Sequence, residues 1–406
     1  MTNFIDNDMP AAFNNTYTGR EYTLRNKVQL VHGGIEYFNL LRTLIDEAKQ
    51  TIHLQVYIFT EDETGNLIAD ALKNAVKRGV SVYLLIDGYA SQKISSSFKE
   101  GLLKAGINFR MFEPIFKSSN FYFGRRLHHK VFVADHYKAL VGGINIENKY
   151  NDMPSERAWF DMALYTEGET SVTLSQVCCE VWNGGFEKAA TAIPPDAAII
   201  NTINNSFSTA ECAVRVSRND WIKRKSQIWK SYFHMLNNSA DEMIIASSYF
   251  LPGWVFRQRM IAAVKRGVKI KVIVAGPSDV MLAKSAEKYL YRWMLNNGIE
   301  LYEYSKSILH IKVAAADYKR MTMGSYNFNN ISAYASIELN LDVRNKPFVS
   351  SVQQELNNVI TQDCIRITDE EYCKKTNRLQ RAWQYIAYLT VKLLLNVVTF
   401  YYTQDK

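Results

Sequence analysis

The strongest constraint on the fold is an internal repeat, because a unit that occurs twice in one chain is expected to fold the same way twice. Residues 71–88 (ALKNAVKRGVSVYLLIDG) and 259–276 (RMIAAVKRGVKIKVIVAG) share the string AVKRGV, and each predicts an amphipathic helix, a glycine stop and a short apolar strand. Helix-and-strand patterns flank both copies at matching places: 44–59 and 235–250 upstream, 102–114 and 293–305 downstream. Two copies of one α/β unit, packed against each other, explain this order more simply than two independent domains.

The repeat also sets the expected domain boundaries. The first half is predicted to span residues 28–190 and the second 212–365, joined by a connector over 191–211 that contains a proline pair and several Asn and Ser residues. Residues 1–27 are expected to form an N-terminal extension that lacks the apolar core of a signal peptide or start-anchor helix. Residues 366–406 are predicted to be a C-terminal amphipathic helix that associates with a membrane.

Net charge and cysteine content limit the partners and the compartment. The formal net charge of +8 favours an anionic partner, which could be nucleic acid, anionic lipid headgroups or a phosphate substrate. The five cysteines are odd in number and form no CxxC pair, which argues against a disulfide framework and a structural zinc site. We therefore expect reduced thiols in a cytosol-facing protein.

One motif closes each half at identical spacing. Residues 128–145 read HHKVFVADHYKALVGGIN and residues 310–327 read HIKVAAADYKRMTMGSYN. Counted from the first histidine, Lys follows at +2, Asp at +7, Gly at +14 and Asn at +17. The motif residues are His128, Lys130, Asp135, Gly142 and Asn145 in the first half and His310, Lys312, Asp317, Gly324 and Asn327 in the second. Agreement at five positions, inside a repeat detected separately, indicates a functional site.

The spacing suits the binding of a phosphodiester. In an H-x-K pair on a strand both side chains point to one face, because successive residues alternate. Glycine at +14 permits close approach of the backbone, and the asparagine amide can then donate a hydrogen bond beside the lysine ammonium. Such groups neutralise non-bridging oxygens, so we expect neither a metal ion nor another cofactor. The candidate phosphate ligands are Lys130, Asn145, Lys312 and Asn327.

The doubled HxKxxxxD pattern resembles that of the phospholipase D superfamily. The resemblance implies two similar halves, each a mixed β-sheet flanked by helices, packed with one active site at their interface. It also implies that one histidine attacks phosphorus to form a covalent phosphohistidine, while the other protonates the leaving alcohol and then deprotonates the incoming one. We assign His128 as the nucleophile and His310 as the acid/base, although the near-symmetry of the motifs leaves the reverse assignment open.

Other segments narrow the resemblance to the bacterial cardiolipin synthases, and among them to the shorter type often called cardiolipin synthase B. These segments are 84–91, 142–168, 248–253, 275–280 and 324–341. In that family an acidic residue downstream of each motif orients a histidine through its other ring nitrogen, and Asp161 and Glu338 occupy those places here. Gln55 is a departure, since related sequences usually carry an acid at that place.

Neighbouring residues of the motif have plainer explanations. His129 should point to the opposite strand face from His128, which favours a structural role. A metal site built on these two histidines would need carboxylate or thiol partners, and only Asp135 is close in sequence. Asp135 and Asp317 belong to the family's catalytic motif, but we interpret them mainly as structural residues that cap a turn or tie the halves together.

Two cationic segments allow more than one interpretation. The loop 116–129 carries Lys117, Arg125 and Arg126 beside Phe and Tyr residues, and it is either a solvated loop or a lip that binds anionic headgroups. The segment 219–236 is predicted to be a surface helix with a cationic flank.

The C-terminal segment 378–406 is long and apolar but carries polar residues at helical spacing, namely Lys392, Asn396, Thr399 and Thr403. A spanning helix would bury the lysine at a cost of about 2.5–3.5 kcal/mol. An amphipathic helix in the membrane interface would leave it in water, with Trp383 at headgroup depth. We favour this interfacial anchor, and packing on the protein's own core is the alternative.

The leading hypothesis is a peripheral phosphatidyltransferase on the cytoplasmic face of the cell inner membrane. By resemblance, two phosphatidylglycerol molecules would yield cardiolipin and glycerol, so phosphatidylglycerol and an anionic membrane surface are the expected partners and nucleic acid is not. One alternative is a phospholipase D-type phosphodiesterase that hydrolyses phospholipid or nucleic acid. The apolar C-terminal segment argues against nucleic acid as the substrate. Another is a non-catalytic lipid- or nucleic-acid-binding scaffold.

Overall fold

The computed structural model describes residues 22–113, 125–184, 191–206, 211–220, 223, 225–328 and 336–400. The strands of the first half are β1 (Asn26–His32), β2 (Thr51–Val56), β3 (Ser81–Asp87), β4 (Asn108–Phe112), β5 (Arg126–Leu127), β6 (Lys130–Ala134), β7 (Lys138–Gly142) and β8 (Met162–Gly168). Its helices are α1 (Ile35–Glu47), α2 (Glu63–Lys77), α3 (Ser96–Lys104) and α4 (Glu169–Asn183), with a 3-10 turn at Asn148–Tyr150.

The second half follows a helix in the connector, α5 (Ala197–Ser206). Its strands are β9 (Ala213–Asp220), β10 (Lys225–Ser226), β11 (Glu242–Ser247), β12 (Lys269–Ala275), β13 (Glu300–Tyr304), β14 (Lys312–Ala316), β15 (Arg320–Gly324), β16 (Ser336–Arg344) and β17 (Cys364–Ile367). Its helices are α6 (Gln227–Asn238), α7 (Trp254–Lys265), α8 (Met281–Tyr289), α9 (Tyr291–Asn296), α10 (Lys346–Asp363), α11 (Asp369–Lys375) and α12 (Arg378–Phe400).

The two sheets have the same topology. The first has the order β1-β8-β7-β6-β2-β3-β4, and the second contains the matching run β9-β16-β15-β14-β11-β12-β13. In each run the three strands joined through helices are parallel and the others antiparallel. The predicted α/β fold with two similar halves, each a mixed sheet flanked by helices, is confirmed.

The shared string AVKRGV forms the same structure in both halves. It ends α2 and α7, and the glycine stops, Gly79 and Gly267, have φ angles of 91° and 94°. This left-handed conformation is accessible to glycine at little cost, so the chain turns there directly into β3 and β12.

The halves share one apolar core between their sheets. Val131 and Val133 of β6 lie in the same buried cluster as Val313 and Ala315 of β14. The outer face of the first sheet is covered by α1, α2 and α3, and that of the second by α6, α7 and α9. The facing sheets therefore bring the adjacent ends of β6 and β14, where the two motifs begin, to one interface.

Two predicted boundaries differ in the structure. Strand β9 continues to Asp220, and helix α6 begins only at Gln227, so the segment 219–236 is not one helix. Residues 366 and 367, predicted to begin the C-terminal helix, belong instead to β17, which pairs with β13 at the edge of the second sheet. In both places, pairing with another strand of the sheet forms β-structure that the local sequence pattern alone did not predict.

Helix α12 packs on α8 through one face. Ala387 is fully buried, Trp383 Nε1 donates to Ser285 Oγ at 3.3 Å, and the Tyr385 ring lies 5.3 Å from that of Tyr289. Packing on the protein is thus part of the explanation of this segment. Among the described residues, no helix is both long and apolar enough to cross a bilayer.

The opposite face of α12 is apolar and exposed. Its exposed large side chains are Leu379, Ile386, Leu389, Leu393 and Leu394, while Trp383 and Tyr385, which contact α8, are also about half exposed. The polar residues at helical spacing were expected to face water. Lys392 does not, because it is half-buried beside the packed face. The side chains of Asn396 and Thr399, and all of Thr403, lie outside the described part of the chain.

Candidate active site

His128 lies between β5 and β6 and is held by the second half. Its backbone N–H donates to the carbonyl oxygen of Ile337 at 3.0 Å, which continues the pairing of β5 with β16. Its ring Nδ1 lies 2.9 Å from Oε2 of Glu338, a fully buried carboxylate that also accepts from Ser325 Oγ at 2.5 Å. The other ring nitrogen, Nε2, has no hydrogen-bond partner among the described residues.

His310 is held by the first half in the same manner. Its backbone N–H donates to the carbonyl oxygen of Phe160 at 2.8 Å, and its Nδ1 lies 2.7 Å from Oδ2 of Asp161. Lys312 Nζ is 2.8 Å from the same Nδ1, but this ammonium has oxygen acceptors of its own, so the Nδ1 proton belongs to the carboxylate contact. The Tyr150 hydroxyl lies 3.3 Å from Nε2.

The carboxylates are therefore exchanged between the halves. Glu338 of the second half holds His128 of the first, and Asp161 of the first holds His310 of the second. A carboxylate on Nδ1 directs the proton to that atom and leaves Nε2 with a free lone pair. Burial raises the pKa of Asp161 to about 7, against the effect of the Lys312 ammonium. Neither imidazole has its carboxylate unless both halves are present.

The two motif lysines lie beside the imidazoles. Lys130 Nζ donates to the carbonyl oxygen of His128 at 3.0 Å, and Lys312 Nζ donates to the carbonyl oxygen of His310 and, at 3.2 Å, to Ser248 Oγ. Both lysines are almost completely buried. Two buried ammonium groups with neutral acceptors favour an anion between them.

The motif asparagines differ in their partners. Asn145 Oδ1 accepts from the backbone N–H of Ile58 at 3.1 Å, and its Nδ2 donates to the Tyr150 hydroxyl at 2.8 Å. One N–H of Asn145 remains for a phosphate oxygen. Asn327 is buried, and its Oδ1 has no hydrogen-bond partner among the described residues.

Burial determines the protonation of the site. It lowers the pKa of His310 well below its ordinary value, and Lys312 and Lys130 lower it further. It also lowers the pKa of His128, although Glu338 opposes that change. Burial lowers the pKa of Lys312 to about 8 and that of Lys130 well below its usual range. Both imidazoles are thus neutral at pH 7 before substrate binds. A bound phosphate anion would raise the pKa values of the histidines and lysines and so favour their charged forms.

Asp135 and Asp317 lie away from this site. Each carboxylate accepts hydrogen bonds from three consecutive backbone N–H groups at the start of β2 or β11: Lys49, Gln50 and Thr51, or Ala240, Asp241 and Glu242. They stand in left-handed turns, with φ angles of 50° and 52°, at the far ends of β6 and β14. This placement favours the structural interpretation of the two aspartates over a direct role in catalysis.

His129 points away from His128, as predicted for the opposite face. It is fully buried, and its Nδ1 lies 3.1 Å from Gln55 Oε1, whose Nε2 donates to the carbonyl oxygen of Cys178 at 2.9 Å. Burial lowers the pKa of His129 to about 3, so the ring is neutral and its Nδ1–H donates to Gln55. Gln55 therefore fixes a buried histidine behind the site.

The motif glycines allow close backbone approach, as predicted. A Cβ on Gly142 would lie 2.7 Å from the carbonyl oxygen of Met162, and a Cβ on Gly324 would overlap the carbonyl oxygen of Leu339. The next residue, Gly143, faces the Asp161 carboxylate so closely that a Cβ there would displace it. The hairpins thereby stand directly against the strands that carry the two carboxylates.

The arginines of the loop 116–129 are engaged within the protein. Arg125 forms ion pairs with Glu113 at 2.9 Å and with Asp220 at 3.2 Å, and Arg126 donates to the carbonyl oxygen of Glu113 at 3.1 Å. Headgroup binding by these two side chains is therefore not favoured. Lys117 and the aromatic residues of this loop lie outside the described residues.

Three site residues were not predicted from the sequence. Ser248 contacts Lys312, the Tyr57 ring lies 4.7 Å from that of His128, and the Tyr150 hydroxyl contacts His310. Tyr57 and Ser248 follow the matching strands β2 and β11, and that position was the available signal. Across the described residues, no group of three or more His, Cys, Asp or Glu side chains is arranged to hold a metal ion.

Comparison with known proteins identifies the family. The family model described as "Cardiolipin synthase, PLD-like domain" matches residues 41–171 and 232–360, which is one match in each half and more than half of the chain. The chain belongs to this family. Within the family it is of the cardiolipin synthase B type, and it is an enzyme of the phosphatidyltransferase class.

Relatives and solved structures agree with this membership. The proteins named cardiolipin synthase B from Shigella flexneri and Escherichia coli K12 are each 30% identical over 363 residues, covering 86% of this chain and 84% of theirs. The crystal structure of phosphatidylserine synthase from Haemophilus influenzae Rd KW20 has a TM-score of 0.69 at 15% identity and covers 92% of this chain and 94% of its own. At that identity the structural likeness shows the fold alone.

Proposed function

We propose that this family member joins two phosphatidylglycerol molecules into cardiolipin and releases glycerol. The observation that carries the proposal is the pair of buried imidazoles, each hydrogen-bonded through Nδ1 to a carboxylate of the other half. That pair supplies one nucleophile and one acid/base, as a double displacement at phosphorus requires. The named relatives support the choice of lipid substrates.

In the first step, Nε2 of His128 attacks the phosphorus of one phosphatidylglycerol. The P–O bond to glycerol breaks, and its electron pair stays on the glycerol oxygen, which takes a proton from Nε2 of His310. His310 carries that proton only when the phosphate anion is bound, because burial and the two lysines otherwise keep the ring neutral. Lys130 and Lys312 neutralise the non-bridging oxygens.

In the second step, a primary hydroxyl of another phosphatidylglycerol attacks the phosphohistidine. Its proton goes to Nε2 of His310, the new P–O bond forms, and the P–N bond breaks with its electron pair returning to Nε2 of His128. The acid of the first step is the base of the second, and the enzyme is regenerated with no net proton change.

The proposal is tested by the products formed from defined liposomes. Purified protein should convert phosphatidylglycerol into cardiolipin plus an equal amount of glycerol, with a chelator of divalent cations present throughout. A parallel sample that contains phosphatidylethanolamine as well identifies the second substrate. Phosphatidic acid without cardiolipin would replace the transferase by a hydrolase, and loss of all products with the chelator, restored by added metal, would contradict the metal-free site.

We further propose that the exposed face of α12 holds the enzyme on the cytoplasmic surface of the inner membrane. The exposed large apolar side chains on this face lie on a helix already fixed to α8, so their burial in the lipid interface needs no rearrangement. The net positive charge adds attraction to anionic headgroups.

Replacing Leu379, Ile386 and Leu393 together by serine should release the protein from anionic vesicles. Each large apolar side chain contributes about 1.5–3 kcal/mol when buried, so the partition coefficient should fall by about 100-fold or more. Vesicle sedimentation measures this change. The matched control replaces the same residues by Ile, Leu and Met, which keeps their apolarity and should keep binding. Equal binding by both triple variants would place the anchor elsewhere in the chain.

A further inference from the structure

The surroundings of the two imidazoles differ at the ring nitrogen Nε2. Nε2 of His310 has the Tyr150 hydroxyl at 3.3 Å, whereas Nε2 of His128 has no hydrogen-bond partner among the described residues. The sequence shows the same asymmetry, because Tyr150 follows Asn145 by five positions and Ser332 stands at that spacing after Asn327.

The Tyr150 hydroxyl is held firmly in place. The side chain is buried, its ring lies edge-on to His310 with centroids 5.0 Å apart, and it also packs against Trp159. Its backbone carbonyl accepts from Gly34 at 3.1 Å. The hydroxyl therefore occupies a fixed point beside Nε2 before any substrate enters.

The hydrogen-bond network sets the direction of the phenol proton. Asn145 Nδ2 donates to the hydroxyl oxygen at 2.8 Å, and the Nδ1 proton of His310 is shared with Asp161. Nε2 of His310 is therefore an acceptor, and the remaining donor is the Tyr150 O–H. This O–H fills the position from which a neutral His310 would take a proton as a general base.

We propose that Tyr150 determines acceptor specificity by keeping water off Nε2 of His310 while the phosphohistidine waits for its lipid acceptor. This inference rests on the proposed two-step transfer. At 3.3 Å the phenol contact is long, so an incoming lipid hydroxyl, held by its own bilayer contacts, displaces it at small cost. A single water gains no such contacts.

Without the hydroxyl, a water has a site in its place. A Phe at position 150 would leave the Asn145 N–H and Nε2 of His310 without their partner, and one water can accept from the first and donate to the second. This water is then placed for base-assisted attack. Its oxygen bonds to phosphorus, its proton goes to Nε2 of His310, and the P–N bond breaks with the electron pair returning to His128, which releases phosphatidic acid.

The test is the product ratio of the Tyr150→Phe variant on phosphatidylglycerol liposomes. The ratio of phosphatidic acid to cardiolipin should rise about 10-fold over wild type, equivalent to the loss of one hydrogen bond. A ratio is independent of how much of the variant is folded. The matched control is Tyr165→Phe, which removes a hydroxyl bonded to Glu167 on β8, outside the site, and should leave the ratio unchanged.

Three results would overturn the inference while leaving the proposed function intact, provided that wild type makes cardiolipin. They are an unchanged ratio in Tyr150→Phe, an equal rise in Tyr165→Phe, and a folded Tyr150→Phe protein that forms neither product. A wild type that releases only phosphatidic acid would instead overturn the proposed function, so the two failures are distinguishable.

Discussion

Replacing either His128 or His310 with alanine should reduce cardiolipin formation by about 10³-fold or more. The first change removes the atom that bonds to phosphorus, and the second removes the proton donor for the leaving glycerol. Both side chains are held at the interface of the halves rather than in a core, so the variants should stay folded. Initial rates on phosphatidylglycerol liposomes, with circular dichroism of each variant, measure the effect.

The matched control for this prediction is the adjacent histidine. His129→Ile copies Ile311, which stands at the same motif position in the second half. It leaves Gln55 Oε1 without its donor, so the free energy of unfolding should fall by about 1–3 kcal/mol while turnover of the folded enzyme is kept. Lost turnover in His129→Ile together with retained turnover in His128→Ala would reverse the assignment of the two rings.

Asp161→Asn and Glu338→Gln should each lower kcat by about 10²- to 10⁴-fold. An amide in place of the carboxylate no longer requires the proton on Nδ1, so the imidazole of the opposite half loses its orientation and its correct tautomer. The two variants act on different rings, and both should affect turnover much more than KM.

Asp135→Asn is the matched control, because it makes the same chemical change at the motif aspartate. That carboxylate binds backbone N–H groups at the start of β2, far from the imidazoles, so the loss should appear as a lower melting temperature with kcat of the folded protein retained. A fall in kcat for Asp135→Asn as large as that for Asp161→Asn would contradict the placement of these residues.

Much of the fold followed from the repeat, because two copies of one pattern must bury the same face. The glycine stops at Gly79 and Gly267 are an example, since the AVKRGV strings predicted that both helices end there and both glycines have positive φ angles. The ends of α6 and β17 could not be predicted from the sequence. They depend on the pairing of β9 and β17 with distant strands rather than on local preference.

The residues of the site were predictable, but their partners were not. Asp161 and Glu338 were expected to orient histidines, yet the exchange between halves depends on the pairing of Leu127 with Ile337 and of Phe160 with Leu309. No local pattern encodes such contacts. Tyr150 was missed for a different reason, because its position has no tyrosine in the second copy and the repeat directs attention to what both copies share.

The orientation of the C-terminal helix could not be predicted from the sequence either. Helical spacing predicted one polar and one apolar side, but a one-dimensional pattern does not say which side meets the protein. The rings of Tyr289 on α8 and Tyr388 pack in a tilted arrangement with centroids 4.8 Å apart on the protein side of the helix, whereas Leu393 is exposed. Packing on the protein and an exposed apolar face therefore occur together on one helix.

In the proposed mechanism, phosphorus passes from one alcohol to another through a histidine of this paired site. The decisive measurement is the stereochemical course at phosphorus, using phosphatidylglycerol made chiral at phosphorus with oxygen isotopes or sulfur. Two successive displacements, at His128 and then at the lipid hydroxyl, predict cardiolipin with retained configuration. Inverted configuration would mean a single direct displacement and would contradict the covalent phosphohistidine.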